Sequence, residues 1–113
     1  MRRTLIIIII IFLLLPLVLT AGEERDLFRE GRSFANRGEY DRALECFNEA
    51  VQINPEYTAA YLAMAVVYVN MKMNYEAIDC LNRVISLDGN NATAYYILAM
   101  VYEEISDGFG AIE

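Results

Sequence analysis

The sequence contains no histidine and no tryptophan, only two prolines and two cysteines, and few basic residues. Each shortage excludes something. Without histidine the chain lacks the commonest general base and the commonest metal ligand, which argues against an enzyme and against a metal site or other cofactor. Prolines occur only at Pro16 and Pro55, and long stretches free of breakers favour helices over strands and turns. Nine basic residues against 16 acidic ones give a net charge of −7, and without Arg2 and Arg3 the balance is −9. Phosphate backbones and anionic lipid head groups repel such a surface, so no nucleic-acid partner is expected, and a membrane only through the N-terminal segment. A chain of 113 residues has room for one small domain.

The N-terminal segment is apolar. Met1-Arg2-Arg3 is basic, Leu5 to Leu15 is an unbroken apolar run, and Thr20-Ala21-Gly22 are small. That order is the order of a secretory signal peptide, either with Thr20 and Gly22 in the two small-residue slots before the cut or with Ala21 as the last residue removed, which leaves Leu19 as a poor upstream residue. Leu5 to Gly22 is also 18 apolar or small residues, enough for an uncleaved anchor. Both readings stay open, and in either one Arg2 and Arg3 remain inside while the rest faces outward. Residues 1–22 are thus a signal peptide or membrane anchor, and residues 23–113 form an extracytoplasmic domain. Glu23 stands where a bacterial lipoprotein signal needs cysteine, so no lipid anchor is expected.

The remainder repeats itself at an offset of 34 residues. Asn36 falls on Asn70, Ala43 on Ala77, Cys46 on Cys80 and Asn48 on Asn82. Ala60 then falls on Ala94, Tyr61 on Tyr95, Ala65 on Ala99, Val67 on Val101, Tyr68 on Tyr102, Ala77 on Ala111 and Ile78 on Ile112. Apolar residues recur every three or four positions, as at Leu27, Gly31 and Phe34, or Tyr61, Met64, Ala65 and Tyr68, which is helical spacing. Gly38 suits a helix C-terminus and Pro55 the first turn of the next helix. The pattern predicts helices near 24–37, 40–53, 56–71, 74–87 and 91–106, with a sixth beginning near Phe109.

These residues resemble the tetratricopeptide repeat, a helix-turn-helix unit. The first unit, 24–57, offers Leu27, Gly31, Phe34, Ala43, Phe47, Ala50 and Pro55. The second, 58–91, offers Tyr61, Met64, Ala65, Tyr68, Ala77, Leu81 and Val84; the third, 92–113, is incomplete and offers Tyr95, Leu98, Ala99, Tyr102 and Ala111. Glu30 departs from the usual leucine, and Gly89 from the proline. The resemblance implies an all-α fold, a right-handed stack of antiparallel helical hairpins with about two and a half repeats.

It also implies a non-catalytic protein-protein interaction module or assembly scaffold that holds a protein or peptide in the groove lined by the first helix of each hairpin. Carried over position by position, that groove presents Arg25, Phe28, Arg29, Arg32 and Asn36, then Leu62, Val66, Val69 and Asn70, then Tyr96, Met100 and Glu103. One end is basic, the middle apolar and the other end acidic. Some members of the family clamp a C-terminal carboxylate at positions matching Phe28, Arg32, Ala63, Thr93 and Ile97; only Arg32 is basic here, so that specificity is not implied. Asn36 and Asn70 can bond a ligand backbone or end their helices.

Other features have plainer readings. Cys46 and Cys80 sit at equivalent places in successive units, about 8–10 Å apart or more, too far for a disulfide. They are expected as free, partly buried thiols. Asn91-Ala92-Thr93 fits a glycosylation acceptor, but Asn91 reads as a helix N-cap. Glu103 and Glu104, with Asp107 nearby, read as a solvated helix end. Tyr95, Leu98, Ala99 and Tyr102 form an open end face that a further helix would cover. The alternative function is therefore structural: a fragment or subunit of a larger array, its apolar faces serving as contacts in a homo-oligomer.

Overall fold

The computed structural model describes residues 1–20 and 22–110, with backbone alone for 16–20 and 109–110. Ala21, Ala111 and Ile112, which figure in the cleavage and repeat readings, lie outside the described residues. Among the described residues there are six helices and no strand: α1 (Arg2–Thr20), α2 (Glu23–Asn36), α3 (Tyr40–Ile53), α4 (Thr58–Asn70), α5 (Asn74–Leu87) and α6 (Ala92–Gly110). The fold is all-helical, as expected from composition and spacing.

The hairpins α2–α3 and α4–α5 are the most intimate pairs, and α3 on α4 and α5 on α6 join them. α2 touches α4 and α4 touches α6, so these three lie side by side along one face, with α3 and α5 behind. The core between the layers is Ala43, Phe47, Met64, Ala65, Val67, Ala77, Cys80, Leu81, Val84, Ala94 and Val101. Small residues let the helices close, and Phe47, Leu81 and Val84, fully buried, fill the spaces between them. Gly31 marks a close approach of α2 to α3: a Cβ there would stand 2.6 Å from Phe47 Cε1.

Both hairpins turn by the same backbone device. After α2, Gly38 takes φ 77° and after α4, Lys72 takes φ 62°. The Gly38 and Lys72 amides donate to Ala35 and Val69 carbonyls at 3.0 and 3.1 Å. The next amides, Glu39 and Met73, reach back to Phe34 and Tyr68 at 2.9 and 2.8 Å. These bonds satisfy carbonyls that a helix end leaves free. Between hairpins, the Tyr57 amide donates to the Asn54 carbonyl at 3.1 Å, and Asn54 Oδ1 accepts from the Glu56 amide at 3.1 Å. Asp88 repeats this turn with Gly89 in the place of Pro55, as its bonds from Asn91 and Asn90 show.

Two expectations need correction. Pro55 does not open α4; it sits inside the Asn54–Tyr57 turn, and α4 starts at Thr58. A proline at the second place of a turn has its φ preset there, so the turn claims it before the helix does. No break separates a sixth repeat helix near Phe109, because α6 runs on to Gly110. Ser106, the counterpart of Gly38 and Lys72, stays helical. Nothing lies within 4 Å of a Cβ built at Gly108, so no neighbour favours a reversal over continued helix bonding.

α1 makes no comparable packing contact with the repeats, and its side chains from Arg2 to Leu15 are exposed. Among the described residues no helix is long and apolar enough to cross a membrane. The far end of the apolar run lies outside the residues whose side chains are described.

Candidate functional site

The face made by α2, α4 and α6 carries two joined clefts. One, of about 320 Å³, is lined by Arg32, Ala35 and Asn36 of α2, Phe47 of α3, and Ala63, Val66, Val67 and Asn70 of α4. The other, of about 280 Å³, runs from Phe28 and Arg32 across Ala59, Leu62, Ala63 and Val66 to Thr93 and Ile97 of α6. Arg32, Ala63 and Val66 belong to both, so the two form one groove. α4 forms its floor because this helix has no charged residue at all. Facing neighbours on both sides, α4 buries Ala60, Met64, Ala65 and Val67 and leaves Val66 44% exposed to the groove.

The structure thus brings together Phe28, Arg32, Asn36, Leu62, Val66 and Asn70 of the expected groove. Arg29 lines a shallow recess beside it with Arg32, Ser33 and Asn36. Arg25 lies at the exposed start of α2. Val69 instead packs against the core. Tyr96, Met100 and Glu103 are exposed on α6 but line neither cleft. Only the first turns of α6 reach the groove, through Thr93 and Ile97. Ala35 and Ala59 were missed among the groove residues; the 34-residue offset from Arg25 marks Ala59.

Arg32 is held over the Phe28 ring at 5.7 Å, and Phe28 packs against Phe47 and Tyr57 with ring centroids 5.8 and 5.2 Å away. The core therefore orients the ring on which the guanidinium rests. Asn36 and Asn70 are the last residues of α2 and α4, and both also line the cleft. Each therefore stands both at a helix end and along the groove.

At the other end, Tyr95 and Tyr102 are 48% and 51% exposed, and Ala99 is exposed, whereas Leu98 packs against the core. Their counterparts Tyr61, Ala65 and Tyr68 are buried or half-buried. Tyr95 is tied down in part, its hydroxyl donating to the Gly89 carbonyl at 3.0 Å. Asn91 caps α6, Oδ1 accepting from the Ala94 amide at 3.0 Å.

Glu104 pairs with Lys72 at 2.9 Å, joining α6 to the end of the second hairpin. Among the described residues no group of three His, Cys, Asp or Glu side chains could hold a metal ion. Cys46 and Cys80 are free and buried, as expected. Burial, helped by Asp79, pushes the Cys80 thiol up to about 11. Burial also raises Cys46, with Glu30, Glu49 and Glu45 adding to it. Both thiols are protonated at neutral pH and poor nucleophiles.

Comparison with known proteins matches this architecture. Residues 31–72 match a family model described as a TPR repeat, and residues 58–91 match one described as a tetratricopeptide repeat. No curated protein matches the chain by sequence. The fold is similar to that of the second TPR of Spaghetti (RPAP3), bound to the HSP90 peptide SRMEEVD, at 20% identity and a TM-score of 0.71, covering 74% of this chain and 78% of that one. It is also similar to a crystal structure of MamA protein, at 22% identity and a TM-score of 0.72, covering 75% of this chain and 46% of that one. A second MamA structure is 26% identical with a TM-score of 0.71, covering 80% of this chain and 53% of that one. The chain spans about half the length of the MamA chains. The 34-residue period, the paired hairpins and the two family matches agree, and the chain belongs to the tetratricopeptide repeat family.

Proposed function

We propose that this protein is a non-catalytic interaction module that holds a peptide or protein segment in the α2–α4–α6 groove, outside the cytoplasm. The observation that carries the reading is the continuous groove with an uncharged, partly exposed floor at Leu62, Ala63 and Val66. Apolar floors with a few convergent polar groups are how proteins hold ligands, and Arg32, Asn36 and Asn70 supply those groups here. The peptide bound by the second TPR of Spaghetti supports the same use of this fold. The hairpins are taken to stack in the right-handed sense of the family.

The extracytoplasmic location rests on the basic, apolar and small order of residues 1–22 and on the exposed apolar side chains of α1. The net charge of the repeats keeps them off anionic lipid. A fusion of a compartment-sensitive reporter after Glu113 tests this part: activity only outside the cytoplasm is expected, and cytoplasmic activity would overturn it.

A second reading has its own observation. Tyr95, Ala99 and Tyr102 stand exposed where their counterparts one repeat earlier are covered, which suits a homo-oligomer built through that end. One pair of variants separates the readings. Random peptides selected on the wild type are expected to be lost by Val66→Arg and kept by Tyr102→Glu. Selection that survives Val66→Arg, together with an oligomer broken by Tyr102→Glu, would favour the second reading.

A further inference from the structure

We infer that the groove takes an extended segment whose acidic side chains cross α2 and whose aliphatic side chains cross α4 and α6. This rests on the groove reading above and adds the chemistry of the partner. The repeat offset lays the groove out in rows, one residue from each of the three helices. Two such rows read Arg29, Ala63, Ile97 and Arg32, Val66, Met100; Ala63, Ile97, Arg32 and Val66 line the clefts, Arg29 the recess beside them, and Met100 stands exposed on α6 outside them. Each begins with arginine on α2 and continues with aliphatic or thioether side chains. A third arginine, Arg25, precedes them on α2, and α4 carries no charge.

The arginines are available. Among the described residues Arg25 and Arg32 make no ion pair, and the Arg29–Asp26 pair is long, 3.9 Å, with both side chains 79% exposed. Arg32 lines the shallow recess as well as both clefts, so its guanidinium stands where the basic edge meets the apolar floor. On a chain of net charge −7, Arg29 and Arg32 stand together at the groove with Ser33 and Asn36, whereas Glu30 of the same helix lines a separate cleft with Glu45 and Glu49. This basic edge draws an acidic segment while the rest of the surface repels it, which fixes where the acidic part settles. The acids near the end of α6, Glu103 and Asp107, reinforce that polarity by disfavouring acidic side chains there.

The span is short. Two steps between packed helices cover about 16–20 Å, or about five or six extended residues at 3.3–3.6 Å each. Two or three acidic residues followed by three aliphatic ones match that length.

The test uses the full chain in neutral detergent micelles and labelled peptides read by fluorescence anisotropy. The probe carries glutamates followed by leucine, valine and isoleucine; one control has lysines for the glutamates and another has serines for the aliphatics. Each control is expected to bind about tenfold more weakly, a difference of about 1.4 kcal/mol. The double variant Arg29→Glu/Arg32→Glu, at two exposed positions with folding checked by circular dichroism, is expected to prefer the lysine peptide. Equal binding of the lysine control by the wild type, or an unchanged preference in the double variant, overturns the inference. Peptides that bind without acidic preference, yet are lost in Val66→Arg, overturn it and leave the groove reading standing. No peptide sensitive to Val66→Arg overturns both.

Discussion

Gly31 and Phe47 form one steric unit, and the second hairpin solves the same contact with different residues. At the 34-residue offset Gly31 corresponds to Ala65 and Phe47 to Leu81. All four are buried. A Cβ at Gly31 would stand 2.6, 2.8 and 3.1 Å from Phe47 Cε1, Cδ1 and Cζ. Phe47 is wholly buried, with the Phe28 ring 5.8 Å away, so the ring has little room to withdraw. Overpacking of this kind costs about 1–3 kcal/mol, and the better helix propensity of alanine returns about 1 kcal/mol. Gly31→Ala is therefore expected to lose about 1 kcal/mol. Phe47→Leu, a smaller truncation than the alanine change, is expected to lose about 1–2 kcal/mol through its cavity. Together they recreate the pair of the second hairpin, and the double variant is expected to be no less stable than Phe47→Leu alone. That is a favourable coupling of about 1 kcal/mol. Urea unfolding of residues 23–113 by far-ultraviolet circular dichroism measures it, since α1 makes no comparable contact with the repeats. Additivity within about 0.3–0.5 kcal/mol would refute the argument.

Three further predictions follow from the backbone and the buried thiols. Gly38→Ala is expected to lose about 1–2 kcal/mol from its left-handed φ alone, since nothing crowds a Cβ there, whereas Lys72→Gly is expected to hold or gain stability despite losing the exposed Glu104 pair; thermal melts compare them. Asn91→Ala is expected to cost about 1 kcal/mol by removing the cap of α6, and Asn91→Asp much less, read by the same melts. Because the folded Cys80 thiol titrates near 11 against an ordinary 9.0, the unfolded chain binds fewer protons between these values. Stability is then full below pH 9 and falls as pH rises towards 11. Cys80→Ala is expected to flatten that part of the urea midpoint-against-pH curve, and an unchanged slope would show that the thiol is not its source.

The hairpins were legible because each repeat must place small residues where helices touch, and those positions recur. Gly31, Ala43, Ala65 and Ala77 are all buried contacts, and Gly38 and Asn91 end and begin helices as their chemistry requires. Lys72 was not legible as a left-handed residue, because lysine carries no local preference for that region; the tertiary fit of the second hairpin imposes it. Pro55 suits both a helix start and a turn, and the Asn54 side chain decides for the turn. The groove was legible in part. A position carried over from the repeat gives the side of the helix but not how far a neighbouring helix stands, so Tyr96, Met100 and Glu103 were expected in the groove, and Thr93 and Ile97 only as matches to the carboxylate clamp. Only the latter two reach the cleft.

The groove is the centre of this account, and amide chemical-shift mapping with the strongest peptide selected on the wild type tests it most directly. Shifts clustered at Phe28, Arg32, Leu62, Val66 and Ile97 are the predicted result. Shifts confined to Tyr95–Tyr102, or to the back helices α3 and α5, would contradict it.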